Sequence, residues 1–177
     1  MMRALVLGAA LSCVACGYQV LRADRPFGAS RVSLLPFAED VPVGLAPDLT
    51  TALGRELATQ GISLTVDTSA ADATLTGRVA SSQTVRSPAA GVGAPVPAYD
   101  IRVQIVAALV DKGGKELWHT QIDLGEGFLP SVTPGDNILL ETEANRRRAL
   151  LRLADLAARA IVERLVVASA AATPGGV

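Results

Sequence analysis

Both cysteines of the chain, Cys13 and Cys16, lie near the N-terminus with the spacing C-x-x-C. Thiols at this spacing can bind a metal or exchange disulfides, but a redox motif is expected beside a βαβ pattern, which does not surround them. The preceding residues indicate other chemistry. Arg3 is followed by an uncharged apolar run over residues 4–15, which is about half the length of a membrane-spanning helix and is typical of a secretory signal.

The segment resembles a bacterial lipoprotein signal peptide, in which a cysteine behind a short run of small or aliphatic residues is acylated and becomes the new N-terminus. The small residues in front of Cys16 fit this pattern. We therefore predict a signal peptide over residues 1–15, a lipidated tether over residues 16–30, and no cofactor other than the covalent lipid on Cys16. Acylation of Cys13 in an alternative register stays open.

A second candidate site is a cluster of arginines near the C-terminus. Arg146, Arg147 and Arg148 are consecutive, and Arg152 follows one helical turn later. The spacing from Glu143 to Arg147 is i to i+4, which is typical of ordinary ion pairs on a solvated helix face. The other interpretation is that Arg146, Arg148 and Arg152 stay unpaired and bind phosphate through their guanidinium groups.

The remaining residues lack the convergent groups that catalysis requires. The single histidine, His119, falls in a predicted strand, where an ordinary sheet position is expected rather than a general base. Apart from the two cysteines near the N-terminus, the sequence has no phosphate-binding glycine loop, nucleophile elbow or metal-ligand spacing. The formal net charge of −1 gives no basic field for nucleic acid. We therefore predict a protein that is not an enzyme and that binds neither metal nor nucleic acid.

Hydrophobic periodicity predicts the elements that must position these residues. The chain is 50% hydrophobic but only 3% aromatic, so its core must be built from aliphatic side chains. Alternation of apolar and polar residues predicts strands, and apolar residues at helical spacing predict helices. In the first half of the chain the patterns predict a strand at residues 31–37, a helix from Pro47 to a stop at Gly61, and a strand at residues 73–85 that a shorter one can precede. In the second half they predict a hairpin of Tyr99–Asp111 and Lys115–Phe128 around Gly113 and Gly114. A long helix follows, with Leu150, Leu153, Ala157, Ile161 and Leu165 on one stripe.

These elements predict one α/β (α+β) domain over residues 31–167. The expected architecture is a small mixed sheet of three to five strands with two helices packed on one face, in the order β-α-β-β-β-α, because this layering buries every apolar stripe. Residues 87–98 are predicted to form a long proline- and glycine-rich loop. Residues 168–177 are predicted to form a disordered tail.

Five stretches of the sequence carry a resemblance to a known family. They are CGYQV, LTTALGRELATQGISL, ADATLTGRV, YDIRVQIVAALVDKGGKELW and TEANRRRALLRLADLAARAIVERL, and together they cover most of Cys16 to Leu165. In this order they resemble the lipopolysaccharide-assembly lipoprotein family, LptE. The chain departs from the family pattern at Gln19, at Cys13 and in the loop from Ser87 to Ala98.

The resemblance implies a lipoprotein on the periplasmic face of the outer membrane. Such a protein plugs and helps to assemble the LptD β-barrel translocon, and it assists the delivery of lipopolysaccharide to the cell surface. The implied partners are an LptD-type barrel and lipopolysaccharide, and Gly17 after Cys16 agrees with sorting to the outer membrane. Ring-forming secretion lipoproteins, similar to curli or exopolysaccharide export components, share the strand and hairpin pattern and are the alternative.

Overall fold

The structure of the protein, a computed structural model, describes residues 25–86, 98–131 and 138–172. The predicted signal peptide and the two candidate acylation sites, Cys13 and Cys16, lie outside these ranges. So do most of the predicted tether and the predicted loop up to residue 97.

Within the described residues, six strands form one mixed sheet. They are β1 (Val32–Leu34), β2 (Ala38–Glu39), β3 (Leu64–Thr65), β4 (Ala73–Arg86), β5 (Tyr99–Asp111) and β6 (Glu116–Phe128). The strand order is β3-β1-β4-β5-β6, with β2 pairing to β4. Strand β1 runs parallel to β3 and β4, whereas β4, β5 and β6 are antiparallel neighbours. The predicted mixed α+β class is therefore confirmed.

Two helices complete the fold, α1 (Ala46–Thr59) and α2 (Ile138–Ala172). The element order is β-β-α-β-β-β-β-α, so the predicted order β-α-β-β-β-α and the limit of five strands are wrong. The two additional strands, β2 and β3, have two residues each; the sequence allowed for β3 as a shorter strand before β4, whereas β2 was not predicted. Strands this short cannot produce an alternating pattern that a sequence analysis could detect.

Alternation along β5 explains how the sheet covers the core. The predicted inward-facing residues are all buried, namely Ile101, Val103, Ile105, Ala107 and Leu109. The residues between them, such as Arg102 and Gln104, lie on the opposite face of the sheet, because successive side chains of a strand point to opposite faces. The predicted hairpin is confirmed, and Gly114 adopts a φ of 82° in its turn, a conformation that glycine adopts without strain.

Helix α2 packs its apolar stripe against the sheet and against α1. The predicted stripe residues are buried, namely Leu150, Leu153, Ala157, Ile161 and Leu165, and they meet the buried Leu49, Leu53 and Leu57 of α1 in one core. The helix continues to Ala172, so the predicted tail from residue 168 is wrong at its start. Ser169 is buried there, and its hydroxyl oxygen accepts a hydrogen bond from the Phe27 backbone N–H at 2.8 Å.

One close approach in the sheet gives a stability prediction. A Cβ atom on Gly77 would lie 2.5 Å from the Val106 carbonyl oxygen and would overlap the ring of the buried Phe37. We expect Gly77→Ala to lower the free energy of unfolding by about 1–2 kcal/mol, since overpacking forces its neighbours to move. Gly54→Ala is the matched control, because its Cβ would have ordinary contact with Leu34 at 3.7 Å and alanine favours a helix. Urea unfolding midpoints measure both, and equal midpoints for the two variants would contradict the argument.

Candidate functional site

Helix α2 divides the predicted arginine cluster between two sides. The Arg146 guanidinium donates to Glu143 Oε1 at 2.8 Å and to the Val43 carbonyl oxygen at 3.3 Å. The Arg147 guanidinium forms a two-pronged pair with Asp48, with Nη2 at 3.0 Å from Oδ1. These two arginines therefore fasten α2 to the loop and first turn of α1. The predictions that Arg146 is unpaired and that Arg147 pairs with Glu143 are wrong, because α1 packing brings Asp48 to Arg147.

Arg148 and Arg152 lie on the other side of α2, where they line a cleft of about 450 Å³. The cleft opens where β5 begins and β6 ends, beside the first half of α2. We call it the arginine cleft. In the described structure it is lined by Ala98, Asp100, Gly127, Phe128, Leu129, Asn145, Arg148 and Arg152. The structure therefore brings two of the three predicted anion-binding residues together and separates them from Arg146.

Arg148 carries a charge that no carboxylate in the described residues pairs with. Its guanidinium donates to two neutral oxygens, Asn145 Oδ1 and, at 3.4 Å, the Ala144 carbonyl. Asn145 in turn donates through Nδ2 to the Leu129 carbonyl oxygen at 2.8 Å. Asn145 thus links Arg148 to the end of β6 and fixes the side chain beside the cleft without neutralising it.

Arg152 is held differently. Its Nε lies 2.6 Å from Glu126 Oε1, and its Nη2 donates to the Gly127 carbonyl oxygen at 3.3 Å. The prediction that Arg152 is unpaired is wrong, because its partner comes from β6 and is remote in sequence. The cleft therefore combines one cation with an unneutralised charge and one cation that is already neutralised.

An exposed apolar side chain lines the arginine cleft, since Leu129 is 58% exposed. Leu139 and Leu140, in the first turn of α2, are 83% and 71% exposed, but they are not among the cleft-lining residues. The Ser131 backbone N–H donates to the Thr142 hydroxyl at 3.0 Å and ties the end of β6 to this first turn. A ligand with an anionic part and an apolar part would find complementary surface here.

Sequence reasoning missed the β-strand wall of the cleft. Phe128 stacks on Tyr99 with ring centroids 5.6 Å apart, and a Cβ on Gly127 would lie 3.5 Å from Asp100 Oδ1. Glycines at alternate positions in a strand, as at Gly125 and Gly127, mark places where a ligand or another backbone can approach closely. That pattern was the available signal.

Other chemistries receive no support from the described parts of the chain. His119 occupies the predicted sheet position in β6, where its Nδ1 lies 2.8 Å from Glu116 Oε1 and the side chain is largely exposed. Residues 25–86, 98–131 and 138–172 contain no group of three His, Cys, Asp or Glu side chains placed to hold a metal ion. None of the helices described is long and apolar enough to span a membrane.

Among solved structures, the fold is shared with one bacterial lipoprotein, and two further lipoproteins show a weaker likeness. A candidate lipoprotein from Caulobacter crescentus CB15 is 18% identical, with 78% of this chain and 90% of that chain covered and a TM-score of 0.54. The minor lipoprotein from Acinetobacter baumannii is 15% identical, with coverages of 73% and 87% and a TM-score of 0.45. The rare lipoprotein B from Shewanella oneidensis is 15% identical, with coverages of 77% and 96% and a TM-score of 0.45.

No protein of curated function matches this chain. The sequence model of the lipopolysaccharide-assembly family LptE, however, matches residues 29–165, which is most of the chain and includes both helices up to Leu165 and all six strands. A family match of this extent supports a role in lipopolysaccharide assembly in the cell envelope. The chain belongs to the LptE family.

Proposed function

We propose that this chain is a lipoprotein of the outer membrane, anchored by a lipid on Cys16 at the periplasmic face. There it plugs and helps to assemble an LptD-type β-barrel and assists the delivery of lipopolysaccharide to the cell surface. The observation that carries this proposal is the match of the LptE family model over residues 29–165. The role is one of binding rather than turnover.

The shape and polarity of the sheet are consistent with a plug. The helices cover one face, and the other face of β5 and β6 carries polar side chains, including Arg102 and a Gln104–Asp123 hydrogen bond of 3.1 Å. The lumen of a large membrane barrel is polar and water-filled. A compact body with a polar outer face can occupy such a lumen without burying unpaired charges.

The arginine cleft supplies a site for a phosphorylated glycolipid. Arg148 offers a guanidinium that can bind a phosphate oxygen pair in two-pronged geometry, and Asn145 holds it in position. The exposed Leu129 lines the same cleft and provides apolar surface beside the cation. We place the contact with lipopolysaccharide at Arg148 and Arg152 and leave Arg146 out, because its guanidinium contacts the loop before α1.

Affinity capture from outer membranes tests the proposed partner. We expect the tagged full-length lipoprotein, extracted in mild detergent, to bring down one large β-barrel protein at a one-to-one ratio in mass spectrometry. The Cys16→Ala variant is the control for the anchor, and it should capture much less of the barrel because it is not concentrated at the membrane. Recovery of only further copies of the chain would contradict the proposal and favour a ring-forming export lipoprotein.

A further inference from the structure

The two cations of the arginine cleft differ in their partners in a way that the proposed binding role does not explain. Arg148 contacts only neutral oxygens, whereas Arg152 is paired with the Glu126 carboxylate at 2.6 Å. Glu126 belongs to β6 and points to the α2 side of the sheet, where the register places it opposite the inward-facing Ile101. Its carboxylate thus competes with an anionic ligand for Arg152.

The geometry points to Glu126 as an internal counter-ion that limits the affinity of the cleft and allows its ligand to leave. This inference rests on the proposed function, since it concerns the same cleft and an anionic lipid. In the structure Glu126 pairs with Arg152, and a phosphate group that binds Arg152 must displace that carboxylate. Release follows the reverse exchange, in which Glu126 takes Arg152 back.

The exposure of the pair makes this exchange feasible. The Arg152 side chain is 55% exposed and the Glu126 side chain 23%. Ion pairs that water reaches contribute little to stability, typically below about 1 kcal/mol. Arg152 also keeps a second contact, to the Gly127 carbonyl oxygen at 3.3 Å, which can hold the side chain at the cleft rim while the charge partner changes.

The exchange gives each residue a distinct role. Arg148 is the cation available to a ligand at all times, and Arg152 becomes available only after Glu126 has been displaced. A protein that passes its ligand on benefits from such a competitor, because tighter binding at one site comes mostly from slower dissociation. Glu126 is therefore a residue that sets affinity without contacting the ligand.

The test uses the full-length protein in detergent and purified lipopolysaccharide as the probe, with the dissociation constant and the dissociation rate read by biolayer interferometry. We expect Glu126→Gln to tighten binding about three- to fivefold, mainly through slower dissociation, because the neutral amide holds Arg152 less strongly than a carboxylate does. Asp123→Asn is the matched control. It removes one negative charge from the same strand, but Asp123 accepts a hydrogen bond from Gln104 and does not line the cleft.

A double variant tests whether Glu126 acts through Arg152. In Glu126→Gln/Arg152→Gln the gain in lipopolysaccharide affinity expected for Glu126→Gln should disappear, since the Arg152 cation is no longer present. Dephosphorylated lipopolysaccharide should likewise show no gain with Glu126→Gln. Unchanged or weaker binding by Glu126→Gln, a gain equal to that of Asp123→Asn, or a gain that persists without Arg152 would overturn the inference.

Failure of this inference can be told apart from failure of the proposed binding site. If the wild type binds lipopolysaccharide and loses it on Arg148→Glu while Glu126→Gln has no effect, the site stands and the counter-ion role falls. If the wild type does not bind lipopolysaccharide, the site falls and the counter-ion role falls with it.

Discussion

Replacing Arg148 by glutamate should weaken lipopolysaccharide binding by roughly 30-fold, since a hydrogen bond to a charged group contributes about 2 kcal/mol. The substitution removes the only cation of the arginine cleft that no carboxylate in the described structure neutralises, and it places a negative charge beside the incoming phosphate. Equilibrium titration of purified lipopolysaccharide into the detergent-solubilised protein measures the effect. The loss should be larger at low salt than at high salt, because mobile ions screen exposed charges.

Arg159→Glu provides the matched control for this experiment. Arg159 is exposed on the same helix and does not line the arginine cleft, so its reversal changes the net charge equally. Arg146→Glu should also leave the affinity at the level of the control, since Arg146 contacts Val43 and Glu143. Equal losses for Arg148→Glu and Arg159→Glu would show that only the overall charge matters and that the cleft is not the site.

Removal of the Glu39 carboxylate should lower the free energy of unfolding by about 3 kcal/mol at neutral pH, the worth of one to two hydrogen bonds to a charged group. The carboxylate accepts four backbone N–H groups at the start of α1, from Val43, Gly44, Leu45 and Ala46, at 2.6–3.2 Å. These donors have no partner within the helix, and no side chain of the N-cap residue replaces Glu39. Urea unfolding of Glu39→Ala against the wild type gives the difference.

The stabilisation by Glu39 should depend on pH. Burial raises the pKa of Glu39, but the hydrogen bonds from Ala46, Gly44, Leu45 and Val43 outweigh it and lower the pKa below its ordinary value of 4.5. A carboxyl with a lowered pKa stabilises the folded state above its unfolded pKa and loses that contribution as the pH falls through its folded pKa. The difference between wild type and Glu39→Ala should therefore be constant above pH 5 and shrink below 4.5.

Glu56→Ala is the control for this series, because Glu56 lies on the same helix and makes no side-chain hydrogen bond in the described residues. Its unfolding midpoint should follow that of the wild type across the pH range. A difference between wild type and Glu39→Ala that stays the same from pH 7 down to pH 3 would show that the ionised carboxylate is not the source of the stability.

The parts of the fold that sequence predicts are those set by local periodicity. The β5–β6 hairpin follows from alternation on both sides of Gly113 and Gly114, and the stripe from Leu150 to Leu165 fixes the buried face of α2. Each of these patterns spans ten residues or more, so burial imposes a detectable repeat. Strand β2 escapes because its two residues form through pairing with β4, which is remote in sequence, and β3, allowed for only as an optional short strand, likewise pairs with the remote β1.

The partners of charged residues could not be predicted in the same way. Local spacing suggested Glu143 for Arg147, but the tertiary fold gives Arg147 to Asp48 and Arg152 to Glu126, and Glu143 pairs with Arg146 one turn away on the same helix. Asp48 also shows why the start of α1 was only partly anticipated. It stands beside Pro47 at the predicted start of the helix, yet Glu39 from the preceding strand binds the backbone N–H groups of the helix N-terminus. Partners of this kind depend on which elements pack together.

The hydrogen bond between Phe27 and Ser169 places the start of the described chain at one end of α2, away from the arginine cleft. It holds the point where the chain enters the fold against the last turns of α2. Because an α-helix rises 1.5 Å per residue, Arg148 lies roughly 30 Å from Ser169 along the helix axis. This distance is about the thickness of the hydrocarbon layer of a bilayer. Helix α2 therefore acts as a spacer that keeps the arginine cleft away from the point where the chain enters the fold.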